Sequence, residues 1–179
     1  LKLLGVLSCQ RNKFDDGINY IEAAIEIDDQ NAEYHFVLGN AFLHRGDVED
    51  GIASLTKAGE LDPGSAEIFA TLGDTYQKVT KFHEALNAYQ RATVIEPDNI
   101  NHTICAGLCA IFTGQHETAS EYLEQALEKN TTIPQIYYGL GVIKSETGNN
   151  KEAVKFMHKA LELDPENPEY NRLVQEYSE

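Results

Sequence analysis

Basic residues are scarce in this sequence. Fourteen Lys and Arg stand against twenty-nine Asp and Glu, a formal net charge of -15. A surface of that balance repels phosphate backbones, and no basic stripe breaks it, so nucleic acid is excluded as a partner. It attracts basic protein segments and speeds encounter with them at low salt, while keeping a long surface soluble. Long apolar runs are missing as well, and no stretch is long enough to cross a bilayer as a helix. Cysteine is limited to Cys9, Cys105 and Cys109. An odd, sparse set does not form a secreted disulfide framework, which favours a reducing, cytoplasmic location. In that setting the sequons at Asn101-His102-Thr103 and Asn130-Thr131-Thr132 are chance matches. The chain opens on Leu1 rather than Met, as expected of a trimmed piece of a longer chain.

Catalytic groupings are also missing. The six histidines are scattered, and no nucleophile shares a pattern with a base and an acidic partner. Gly139-Leu140-Gly141 is not followed by Gly-Lys-Ser, so it is no phosphate loop. His102, Cys105 and Cys109 lie along one helical side, but a zinc site needs a fourth ligand that no comparable spacing supplies. The expectation is a protein with no enzymatic activity, no cofactor and no metal.

What is present is a repeat. Gly5, Gly39, Gly73, Gly107 and Gly141 recur at a fixed spacing, and setting each as position eight starts repeats at Ala32, Ala66, Ile100 and Pro134, after a truncated first one. Position twenty is then always small (Gly17, Gly51, Ala85, Ala119, Ala153). Position twenty-four is large and apolar (Ile21, Leu55, Tyr89, Leu123, Met157). Position twenty-seven is alanine throughout, at Ala24, Ala58, Ala92, Ala126 and Ala160, and Pro63, Pro97 and Pro165 close three repeats. Small residues at positions eight and twenty let two helices approach, and the bulky position twenty-four fills the space between neighbours. Gly46, Gly114 and Gly148 suit a left-handed turn, and Asn12 can take the same conformation. Thr80 replaces that turn glycine, and Asp29 and Thr131 replace the closing proline, so looser junctions are expected there.

These residues form a signature that resembles the tetratricopeptide repeat (TPR) family. The resemblance implies an all-α fold, a right-handed superhelical solenoid of five helix-turn-helix repeats spanning approximately 1–31, 32–65, 66–99, 100–133 and 134–167. Residues 168–179 have Tyr170, Leu173, Val174 and Tyr177 on one face and Glu169, Arg172 and Glu176 on the other, the pattern of a capping helix. A single domain over 1–179 is expected.

In the architecture the resemblance implies, repeat positions two, five, nine, twelve and thirteen face a concave groove that binds protein segments. The candidate groove residues are Phe36, Asn40, Leu43 and His44, then Asp74, Gln77 and Lys78, then Ile104, Leu108, Ile111 and Phe112, and finally Tyr138, Val142 and Glu146. Ile104, Leu108, Ile111 and Phe112 are expected to expose an apolar strip for an apolar segment or amphipathic helix. Glu67, Asp74 and Glu146 supply an acidic rim that favours basic segments. A clamp for an acidic tail is not expected, because Phe36 sits where Lys is needed. Leu1, Leu3, Leu4, Val6 and Leu7 make an unusually apolar first helix, expected to drive homo-oligomer formation by meeting the fourth-repeat groove of another copy.

Two stretches, Gly46-Asp47-Val48-Glu49-Asp50-Gly51 and Leu72-Gly73-Asp74-Thr75-Tyr76-Gln77-Lys78-Val79-Thr80-Lys81-Phe82, resemble the corresponding repeats of the MamA family of magnetosome-associated TPR proteins. That resemblance implies a self-assembling layer on the cytosolic face of the magnetosome membrane, peripheral to it through protein partners. The alternative is a partner-recruitment module cut from a larger bacterial protein, such as a glycosyltransferase or an assembly factor.

Overall fold

Asparagine starts four of the helices. The Oδ1 atoms of Asn31, Asn99, Asn149 and Asn167 accept from Glu33 N, Asn101 N, Glu152 N and Glu169 N, at 3.1, 3.3, 3.4 and 3.1 Å. Each satisfies a backbone donor that a helix start leaves unpaired. A computed structural model describes residues 1–178, all-helical among those described. They gather into two compact units, Leu1–Val79 and a second beginning at Thr80.

The first unit holds α1 (Lys2–Gln10), α2 (Phe14–Ile25), α3 (Ala32–Arg45), α4 (Val48–Leu61) and α5 (Ala66–Lys78). The second holds α6 (Phe82–Ile95), α7 (Ile100–Phe112), α8 (His116–Lys129), α9 (Pro134–Glu146), α10 (Asn150–Leu163) and α11 (Pro168–Ser178). The hairpins α1/α2, α3/α4, α7/α8 and α9/α10 close in the same way. A Cβ placed on Gly5, Gly39, Gly107 or Gly141 would lie 2.5, 2.7, 2.8 or 2.7 Å from the side chain of Ile21, Leu55, Leu123 or Met157. Each large residue therefore sits directly on a glycine of its partner helix, and all four are fully buried. The alanines at position twenty-seven are buried too, from Ala24 to Ala160.

The turns follow the expected chemistry with one surprise. Gly46, Gly114 and Gly148 have φ of 102°, 71° and 82°, and Asn12 joins them at 59°. Thr80 also takes φ of 59°, a conformation a β-branched residue adopts only under strain of about 1–3 kcal/mol. The junctions without proline are tied by other bonds. His35 Nε2 lies 2.9 Å from Asp29 O, Tyr137 Oη donates to Thr131 O at 3.0 Å, and Thr132 N donates to Asn130 Oδ1 at 2.8 Å. α11 caps the second unit as its pattern predicts: Tyr170 and Leu173 are buried, while Glu169, Arg172 and Glu176 are exposed. Glu179 lies outside the described residues.

Candidate protein-interaction surfaces

In the first unit the helices that open repeats one and two, α1 and α3, leave a cleft of about 360 Å³ between them. Val6, Phe14, Val37 and Ala41 give it apolar walls, Gln10, Asn12, Asn40 and His44 line it with polar groups, and Cys9 lines its edge with its Sγ packed on Gly17 of α2. The His44 ring stacks on Phe14 with centroids 6.1 Å apart. Burial pushes the Cys9 thiol above its ordinary pKa, which favours its protonated form. Ion pairs bound the neighbourhood: Lys2 meets Glu33 at 2.7 Å, and Arg45 meets Asp15 at 2.7 Å as well as Asp47. Leu1, at the cap of α1, and Leu3, Leu4 and Leu7 on it are 50, 68, 51 and 42% exposed, and Val6 is half-buried.

Two expected groove residues of this unit behave differently from the rest. Leu43 does not face the groove: a Cβ on Gly51 would lie 2.6 Å from its Cδ2, so Leu43 fills the space inside its own hairpin. Phe36 is half-buried and does not line the cleft, while Asn40 and His44 do. On α5, Asp74 and Lys78 are exposed and Gln77 is half-buried.

In the second unit the expected exposed apolar strip is largely closed. Ile104 and Ile111 are 6 and 8% exposed, and Leu108 is half-buried. The physical reason lies on α9. Gly139 has no side chain, and a Cβ there would lie 3.2 Å from Leu108 Cδ2 and 3.4 Å from Ile111 Cδ1, so both lean against the glycine's backbone. Phe112 alone of the four stays open, at 59% exposure, and stacks on Phe82 with centroids 4.4 Å apart. Tyr138 is covered by α11: its ring lies 5.5 Å from Tyr170, and its Oη donates to Glu169 at 3.3 Å. Desolvation, first, and the carboxylate of Glu169 push the Tyr138 phenol up to about 12. Val142 is half-buried and Glu146 exposed.

The stacks reveal a recurring contact. Phe14 with His44, Phe82 with Phe112, and His116 with Glu146 are each position seventeen of one repeat against position thirteen of the next. In the third pair His116 Nδ1 lies 3.4 Å from Glu146 Oε2, within ion-pair reach but outside hydrogen-bond geometry. His102 turns to Glu96 and Asn99, with Nε2 at 3.2 and 2.9 Å from them. Hydrogen bonding by Asn99 and then by His102 holds the Glu96 carboxyl below its usual range. Cys109 is fully buried at position ten.

Sequence reasoning missed Cys9, Gln10, Asn12, Phe14, Val37 and Ala41 as cleft residues. The available signal was the small side chains at positions nine and twelve of the first repeat, Val6 and Cys9, where the fourth has Leu108 and Ile111.

Comparison with known proteins gives a consistent picture. Models described as tetratricopeptide repeat match residues 8–66, 66–99 and 113–177, together most of the chain. The photosystem I assembly protein Ycf3 of Synechococcus elongatus is 34% identical over 92 residues, covering 46% of this chain and 53% of that protein. The chain spans between about a tenth and about half the length of the curated relatives it matches. Among solved structures, a MamA crystal structure superposes with a TM-score of 0.80 at 28% identity, covering 90% of this chain and 95% of that one. YrrB, described as a TPR protein with an unusual peptide-binding site, shares the fold at a TM-score of 0.85 and 19% identity, over 97% of this chain and 88% of that one. The chain belongs to the tetratricopeptide repeat family, a family of protein-interaction modules.

Proposed function

We propose that this chain is a non-enzymatic scaffold that binds protein segments along the helices opening its repeats, assembles with copies of itself, and serves as a coat on the cytosolic face of the magnetosome membrane. The observation that carries self-assembly is the leucine ridge of α1, four side chains from 42 to 68% exposed. A ridge of that kind on a soluble surface is covered in use. The receiving surface is the exposed Phe112 with Phe82 stacked on it, together with the half-buried Leu108. Two different surfaces meeting make a head-to-tail contact, which propagates into open polymers or rings. The MamA likeness supports the coat assignment.

Whole-chain repulsion opposes assembly, so oligomers grow as salt rises from about 0.1 to about 1 M and the screening length falls from about 10 to about 3 Å. Light scattering after size exclusion tests this on wild type, on a Leu3→Asp, Leu7→Asp double variant and on Phe112→Asp. Both variants substitute exposed residues, so each stays folded and loses oligomers. A wild type that remains monomeric at every salt and at high concentration refutes self-assembly. A second reading, recruitment of partners within a longer protein, is favoured by the length relation to the curated relatives. A reading frame that continues into a catalytic domain would select it.

A further inference from the structure

The cleft between α1 and α3 has a counterpart in the second unit that shows what fits it. Val6, Cys9 and Val37 occupy the same repeat positions as Leu108, Ile111 and Gly139. In the second unit two branched aliphatic side chains fill the space down to the glycine. In the first, the shorter Val6 and Cys9 leave about 360 Å³ open, at the small end of the range for binding sites. None of the residues lining it is a carboxylate, an ammonium or a guanidinium. A charged group entering it would lose its hydration with no opposite charge to meet. Asn40 and Gln10 line it with carboxamides that make no hydrogen bond to another described residue. A carboxamide offers one donor side and one acceptor side, the complement of a peptide group.

We infer that this cleft is an anchor site for an uncharged partner peptide. It takes one branched aliphatic side chain of the partner, while Asn40 and Gln10 hydrogen-bond the backbone on either side. The inference rests on the reading of the chain as a binder of protein segments and adds where the anchor enters and what chemistry it has. The stacked Phe14 and His44 form one wall, and a cysteine placed at the cleft residue Val37 reports occupancy, because the native Cys9 thiol packs on Gly17 of α2.

The probes are blocked, uncharged nonapeptides with a single central Leu, the same peptides with central Asp or Lys, and a peptide copying residues 1–9. Fluorescence polarisation measures binding, and mass spectrometry follows alkylation of each cysteine in a Val37→Cys variant. The Leu peptide binds, and the Asp and Lys peptides bind at least about tenfold more weakly. Peptide at about ten times its Kd slows alkylation at position 37 of that variant about tenfold and leaves Cys105 unchanged. Asn40→Ala, and Val6→Leu, which copies the residue at 108, each weaken binding about tenfold with helicity unchanged. Asn87→Ala, an exposed change on α6, leaves binding as in wild type. Charged peptides binding equally well, or Asn40→Ala and Val6→Leu both leaving affinity intact, overturn the inference. If the Leu peptide binds but position 37 of the Val37→Cys variant is unprotected, segment binding stands and this anchor site does not. If only the 1–9 peptide binds, the occupant is a second copy rather than a separate partner. If nothing binds, both readings fall.

Discussion

The two units share a hairpin core and differ in how their groove-side helices meet. In both, a large apolar residue rests on a glycine of the partner helix: Leu55 on Gly39 in the first, Leu123 on Gly107 in the second. Between repeats the units part. α7 and α9 approach closely because Gly139 accepts Leu108 and Ile111, whereas α1 and α3 are held open over shorter side chains with Val37 between them. Their terminal helices differ too. α11 lays Tyr170 and Leu173 into the second unit, while α1 leaves four leucines in water. The same repeat signature therefore fixes the hairpin without fixing the surface, and three side chains at positions nine, twelve and six decide whether adjacent repeats enclose a space.

The largest expected effect tests the shared part. Leu55 and Leu123 are both fully buried, so Leu55→Ala and Leu123→Ala should each cost about 2–5 kcal/mol. Repeat arrays do not always unfold in one step, so the measurement is hydrogen exchange resolved by segment during urea unfolding. Local losses of similar size in the two units support a common core. A loss confined to one of them breaks the comparison at its base.

A smaller effect tests the part that differs. Gly139→Val adds bulk where a Cβ would already lie 2.6 Å from Leu123 Cδ1, and overpacking of that kind costs about 1–3 kcal/mol. Val37→Leu adds bulk beside an open cleft and should stay within about 0.5 kcal/mol of wild type. Thermal melts of the two variants decide it. If Val37→Leu is the more damaging, the cleft is not the open space described above.

The fold was legible because its signature residues are themselves the contacts. Gly5, Gly39, Gly107 and Gly141 recur since a side chain there would strike the facing helix, and Ala24 to Ala160 recur because those sites are buried. The groove was legible only in part. Repeat position gives a direction around the helix but no depth. Leu43 therefore turned inward onto Gly51, and Ile104 and Ile111 were buried. Depth depends on pairs of residues in successive repeats, such as Ile111 with Gly139, and a single repeat read in isolation does not contain it. The exposed leucines of α1 depart from their repeat position: Leu4 shares position seven with the buried Leu38, Leu72 and Leu140, yet it is 51% exposed.

The smallest effect concerns the closure that the second unit has over α9 and the first lacks over α1. Tyr138 sits between α9 and α11, its phenol pushed up to about 12 by burial and by the Glu169 carboxylate that accepts its hydrogen bond. Tyr170 and Tyr177 are raised in the same direction, chiefly by burial. A phenol whose pKa is higher folded than unfolded stays protonated in the folded state while the unfolded chain begins to ionise. Its stabilisation is thus fully present below the ordinary tyrosine value of about 10 and is lost as the pH rises from there through about 12. The second unit should therefore hold level stability up to about pH 10 and weaken above it, with α11 the first helix to lose protection from hydrogen exchange. Water still reaches the Tyr138 ring and screens it, which is why the effect ranks below the packing changes. Tyr138→Phe removes the titrating group and keeps the ring against Tyr170, so its stability should fall less steeply over the same window. Phenolate absorbance and segment-resolved exchange, followed together from about pH 9 to about pH 12, provide the check. If Tyr138→Phe and wild type fall along one curve, the Tyr138–Glu169 contact does not hold α11 in place, and the closure of the second unit rests on Tyr170 and Leu173 alone.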